Sequence, residues 1–113
     1  MISLERRCLV ENKFLQFIGL TKRAGKLLEG YNKNEDGIQF KKVKLIIISK
    51  DVAQNTKDKF SGLCEKNHIP MISEINGEDL SQIIGVPKIG VLGVTDIKMS
   101  NQLIKLWKEL INN

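Results

Sequence analysis

Histidine and cysteine are scarce in this chain. There is one histidine, His68, and two cysteines, Cys8 and Cys64, with no CxxC or Cys/His spacing between them. A zinc site takes about four such ligands, so no metal is expected. Cys64 falls on the apolar side of a helical pattern and reads as a small core residue, with Cys8 packing at the terminus. No apolar run approaches the roughly 20 residues that span a bilayer. The opening "MISLERRCLV" carries two arginines and no apolar signal segment, which predicts a cytoplasmic protein with no membrane partner. No GxSxG, HExxH or Walker sequence occurs. The glycines of "GVPKIGVLG" flank a strand and open no helix, so they form no dinucleotide fingerprint. An enzyme would need a poised acid or base in a pocket, and none is nominated. No catalytic residue, cofactor or small-molecule substrate is expected.

What is present is a core and a basic half. The 113 residues, 42% hydrophobic and 27% charged, suit one domain spanning 1–113. Net charge is +5. Residues 1–60 hold 13 Lys/Arg against 7 Asp/Glu, whereas residues 61–113 hold 5 against 6. Such a field most often serves nucleic acid.

The hydrophobic pattern alternates between helices and strands. Residues 1–10 read as an irregular or extended lead. Residues 12–24 carry Phe14, Leu15, Phe17 and Ile18 at helical spacing, with Gly25 as a left-handed stop. "KLLEG" is a short strand with Leu27 or Leu28 inward. A short helix fits residues 31–40, weakened by Gly37 by about 1 kcal/mol. "VKLIIIS" is a strand buried on both faces. A helix follows with Ala53, Thr56, Phe60, Leu63 and Cys64 on one side, closed at Asn67–His68, where the imidazole is expected to meet the last carbonyls. "IPMI" is the third strand. "EINGEDLSQIIG" is a loop and a short helix with Leu80, Ile83 and Ile84 inward, Glu78 and Asp79 in its first turn and Gly85 as its stop. "IGVLGV" is the fourth strand. Residues 99–112 form a last helix with Leu103, Leu106, Trp107, Leu110 and Ile111 in one stripe, Trp107 serving as a core anchor. This alternation predicts an α/β sandwich with helices on both faces of the sheet.

Lys22, Arg23 and Lys26 precede Gly30; Lys41, Lys42 and Lys44 precede the main strand, and Lys50 follows it. Each group alone is ordinary solvated surface. Convergence at one sheet edge, with helix N–H groups near Gly30, would make an anion site.

The succession "FIGLTKRAGKLLEG", "KLIIISKDVAQNT" and "IPMI…EDLSQIIG" resembles the kink-turn-binding ribosomal-protein superfamily, closest to its bacterial YlxQ-like branch. The likeness runs from about Lys13 to Asp96 and rests on "RAGK" with a following glycine and on "D-x-A-x-N-T". It implies a three-layer α/β/α sandwich around a four-stranded mixed sheet. It also implies a non-enzymatic RNA-binding protein of the translation machinery, with structured RNA (ribosomal RNA or a kink-turn) and the ribosome as partners. In this family the N-terminal end of the second helix enters the widened major groove of a kinked duplex, since a regular A-form groove is too narrow. A Gly-x-Asn-Glu-x-x-Lys motif carries that contact.

Carried over residue by residue, the motif glycine falls on Gly30 and the asparagine on Asn32. Lys33 and Asp36 stand where the family often has Glu and Lys. The residues implied for RNA binding are Lys26, Gly30, Tyr31, Asn32, Lys33 and Lys50. Glu74, Ile75 and Asn76 join them as a second loop in which Ile75 packs on a nucleotide. Lys26 leads this set because it lies between the helix stop and the groove-entering turn. The competing reading is a ribosome-associated protein-interaction module on the same fold with only non-specific RNA affinity.

Overall fold

The computed structural model describes the backbone from Leu4 to Asn112 and the side chains from Lys13 to Asn112. Five helices and four strands alternate among these residues. They run α1 (Leu4–Arg23), β1 (Leu27–Glu29), α2 (Tyr31–Gln39), β2 (Leu45–Ser49), α3 (Gln54–Asn67), β3 (Met71–Ile75), α4 (Gly77–Ile84), β4 (Val91–Val94) and α5 (Ile97–Ile111). The first helix is longer than its apolar spacing predicts. It begins at Leu4, so most of the expected irregular lead is helical. "LERRCLVEN" holds no glycine or proline to oppose a helix. The packing of the Cys8 side chain lies outside the described residues.

The strands form one mixed sheet in the order β1-β4-β2-β3. β1 and β2 each run antiparallel to β4, and β3 runs parallel to β2. Every residue of β2 and β4 is buried, as central strands covered on both faces require. Two cores result. On one face Phe14 and Ile18 of α1, Leu80 and Ile84 of α4, and Leu103 and Leu106 of α5 meet Leu45, Ile47, Leu92 and Val94. On the other, Ile38 of α2 with Phe60 and Cys64 of α3 meet Ile46, Ile48 and Val91. Helices on both faces make the three-layer α/β/α sandwich that the sequence predicts. Leu27 packs on the first core and Leu28 on the second, so an edge strand uses both leucines. Trp107 tilts against Phe14 with ring centroids 5.6 Å apart, as a core anchor should. Ile111, at 58% exposure, is outside the stripe.

Three local details depart from the expectations. Gly37 does not cut α2 short. It is buried, and a Cβ there would stand 2.7 Å from Leu28 Cδ1 and 2.8 Å from Val43 Cγ2. Its missing side chain lets the helix lie close to the sheet. His68 closes α3 with its backbone, not its imidazole: at φ 57° its N–H donates to the Glu65 carbonyl. β3 continues past Ile72 through a bulge, because the register against β2 passes from Ile47↔Ile72 to Ser49↔Ile75. Glu74 takes the left-handed conformation there, φ 70°.

Candidate RNA-binding end of the sheet

The register separates the loops into two groups. Leu27, Leu45 and Val94 stand in one row across the sheet, and Glu29, Ile48 and Val91 lie toward the opposite end. Gly30, residues 50–53, Asn76 and residues 85–90 therefore gather at one end. Residues 24–26, 40–44, 68–70 and 95–96 gather at the other.

At the Gly30 end the chain turns from β1 into α2 through a single residue. Gly30 has φ 105°, a backbone reserved for glycine. Its N–H donates to Val91 O at 2.9 Å, which ties the corner to β4. Asn34, fully buried, pins the same corner from inside the helix. Its Nδ2 donates to Leu28 O at 2.9 Å and to Gly30 O at 2.8 Å. Its Oδ1 has no hydrogen-bond donor and lies where a Gly93 Cβ would stand. β4 therefore needs a glycine at that position to admit the asparagine.

This corner leaves the first turn of α2 open. Gly30 supplies no side-chain cap, and no acid occupies the first turn. Tyr31, Asn32 and Lys33 are all exposed. By contrast α4 is closed by Asn76, whose Oδ1 accepts from Glu78 N at 2.8 Å and Asp79 N at 3.3 Å. The N-terminus of α3 also lacks a side-chain cap and a first-turn acid, and it stands at the same end. Orphan N–H groups with the positive end of the helix dipole favour anions. Asp51 ties the neighbouring turns together, its Oδ2 accepting from Gly77 N at 2.8 Å. An open cleft of about 590 Å³ lies between Ser49, Asp51, Gly77, Ser81, Pro87 and Ile89.

Tyr31 is held in place. Its ring meets Phe60 edge-on at 5.2 Å, and Lys59 Nζ lies 5.1 Å from its centroid. Lys59 also pairs with Glu35, and the Glu35 carboxylate, then Tyr31, hold the Lys59 ammonium above its ordinary pKa. Among the described residues no group of three or more His, Cys, Asp or Glu is placed to hold a metal ion.

The residues nominated from sequence do not all converge. Gly30, Tyr31, Asn32, Lys33, Lys50, Glu74 and Asn76 share this end. Lys50 N donates to Ile75 O at 2.9 Å, which joins the second loop to the end of β2. Lys26 does not share it: it precedes β1, about 13 Å of strand from Gly30, and its carbonyl accepts from Thr95 N at the opposite end. Ile75 is 7% exposed and packs in the first core, leaving only a small edge on a cleft it shares with Glu74, Trp107 and Leu110. The bulge at Glu74 turns it inward. Asn76 has its Oδ1 engaged in the α4 cap, leaving only Nδ2 for a ligand. Lys22 is structural: its Nζ donates to Ile84 O at 2.6 Å and pairs with Glu29 at 3.3 Å. Sequence reasoning missed residues 85–90. Pro87, Lys88 and Ile89 line the cleft with Ser49, Asp51 and Gly77, because they lead into β4, which pairs with β2. The only signal was "GVPKIG", a glycine-bounded turn with an exposed lysine.

This five-helix, four-strand sandwich with an open α2 corner is the frame of a known family. Residues 12–104 match the Ribosomal protein L7Ae/L30e/S12e/Gadd45 family, and the chain belongs to it. It is 32% identical over 99 residues to the RNA-binding protein YlxQ of Enterococcus faecium, covering 88% of this chain and 91% of that protein. It is 28% identical over 94 residues to the RNA-binding protein YlxQ of Bacillus subtilis (strain 168), covering 83% and 94%. Among solved structures, a protein with unknown function from Bacillus halodurans C superimposes with TM-score 0.80 at 34% identity, covering 83% of this chain and 95% of that one. The Giardia lamblia 15.5kD RNA binding protein superimposes with TM-score 0.73 at 15% identity, covering 91% and 88%, and shares the fold.

Proposed function

We propose that this chain is a non-enzymatic RNA-binding protein that reads a kink-turn or kink-like RNA with its Gly30 end, in the service of the translation machinery. The observation that carries the reading is the open first turn of α2. Its backbone N–H groups are uncapped, its side chains Asn32 and Lys33 are exposed, and Gly30 beside them has no side chain to keep RNA away. The family and the RNA-binding relatives support it.

In this reading the N-terminal turn of α2 enters a groove opened by a kink. The Asn32 amide both donates to and accepts from base edges. Lys33, Lys50 and Lys88, all exposed, neutralise phosphates on either side. Tyr31, braced by Phe60, sets the edge of the surface, and Glu74 and Asn76 border it. Lys26 takes no part. The ribosome or ribosomal RNA is the partner the family suggests.

The test is a titration with a kink-turn RNA and with the same RNA carrying Watson–Crick pairs in place of its G·A pairs, at low and physiological salt. A preference for the kinked form that persists at physiological salt is expected. Equal, salt-sensitive binding to both would reduce the interaction to phosphate attraction and favour a protein-interaction module.

A further inference from the structure

The opposite end of the sheet holds the denser positive charge. Three backbone bonds gather its loops: Lys44 N to Val94 O at 2.7 Å, Thr95 N to Lys26 O at 3.0 Å, and Ile46 N to Pro70 O at 3.1 Å. Lys26, Lys41, Lys42, Lys44 and Lys98 are all exposed there. Among the described residues, none of the five has a carboxylate within ion-pair distance. Asp96, the acid of these loops, is engaged as the α5 cap, its Oδ2 accepting from Met99 N at 2.9 Å.

Helix dipoles explain part of this charge. Lys41 and Lys42 follow the C-terminus of α2, where a cation is favoured. Lys98 stands in the first turn of α5, where a cation is disfavoured, and Lys44 has already entered the approach to β2. Folding also leaves Phe40 unexplained. It follows α2 at 67% exposure, directly before Lys41 and Lys42. Next to it runs an open groove of about 520 Å³ between Lys41, Lys44, His68, Pro70, Ile97 and Asn101.

An exposed ring interleaved with unpaired lysines is the chemistry of single-stranded nucleic acid: cations follow the phosphates and the ring stacks a base. We infer that the Lys44 end is a second contact surface, which takes an unpaired, phosphate-rich RNA segment with one base stacked on Phe40. The charge complementarity selects a polyanion, and the flat exposed ring selects a base over an acidic side chain. A chain that holds one RNA at both ends of its sheet turns the second contact into an intramolecular one, which raises affinity without enlarging either surface.

The experiment is fluorescence anisotropy of a short oligouridine RNA with the full chain at low and physiological salt. The Lys41→Gln/Lys42→Gln/Lys44→Gln variant should bind roughly tenfold more weakly, with a salt slope reduced by about 2. Phe40→Ala should weaken binding at least about fivefold. Lys33→Gln/Lys50→Gln, at the other end, removes two phosphate contacts of the kink-turn surface and should weaken oligouridine binding clearly less than the triple variant does. Oligouridine binding by the triple lysine variant at parental strength would overturn the inference, as would equal losses in the variants of both ends. Displacement of oligouridine by poly-glutamate of matched charge, as effectively as by unlabelled oligouridine, would assign the surface to an acidic protein instead. Loss of the kink-turn preference with oligouridine binding intact would overturn only the reading of the Gly30 end.

Discussion

The two ends of the sheet are made of similar parts and have opposite characters. At the Gly30 end α2, α3 and α4 begin; at the Lys44 end α1, α2 and α3 finish. The Gly30 end thus offers uncapped N–H groups with three dispersed lysines, Lys33, Lys50 and Lys88. The Lys44 end offers lysines crowded around an exposed phenylalanine. Directional donors suit reading of shape and base edges, whereas point charges suit phosphates wherever they lie. A basic composition alone would have merged the two.

The comparison rests first on the rigidity of the Gly30 corner. Asn34→Ala removes the three hydrogen bonds that its Nδ2 gives to Leu28 O, Gly30 O and Val91 O in a buried corner, which should cost about 3 kcal/mol in urea unfolding. Gly93→Ala, whose Cβ meets the Asn34 Oδ1, should cause a loss of the same order. A loss under about 1 kcal/mol for both would mean that the corner is held by other contacts.

The layer that carries this corner should also be closed to reagents. Burial pushes the Cys64 thiol from 9 up to about 11. In a Cys8→Ser background its alkylation at pH 8 should be roughly 100-fold slower than that of a free cysteine, since each pKa unit removes about nine-tenths of the thiolate. The raised value also sets the sign of the pH dependence: Cys64 contributes stability below pH 9 that is lost as pH rises toward 11. Rapid labelling at pH 8 would show α3 lifting from the sheet.

The division of labour is tested by charge. Lys33→Gln/Lys50→Gln/Lys88→Gln should weaken kink-turn RNA binding about tenfold and lower the salt slope by roughly 2 to 3. Lys26→Ala should change the same binding less than about twofold and leave its slope intact. A drop matching that of the triple variant would return Lys26 to the kink-turn site. The smallest effect is expected of Asp36→Lys. Asp36 lies about 8 Å along α2 from its first turn, so kink-turn affinity should barely move; a clear gain would place the RNA along the whole helix.

Much of the fold was legible because its signals are local. "KLIIIS" and "IGVLGV" are apolar without alternation, which marks central strands, and both prove central. Gly25 and Gly85 stop their helices where the pattern ends. Where sequence and structure differ, the differences have one origin. Ile75 reads as a loop residue in sequence because a bulge at Glu74 leaves no periodicity to follow. Lys26 looks close to Gly30 because only three residues intervene, yet as strand β1 they cross the sheet. Gly37 looked like a weakness because its value depends on Leu28 and Val43, which only packing brings to it. Residues 85–90 carry no local signal of their place, because their neighbours Ser49, Asp51 and Gly77 are distant along the chain.

By itself the sequence determined the alternation of helices and strands, the two-sided burial of β2 and β4, and the family, since these follow from local hydrophobic period and from motifs. Strand order and register decided which end of the sheet each loop occupies. Charges in separate loops become one surface only where backbone pairing brings those loops together, and that pairing is a long-range choice that residue type does not encode position by position.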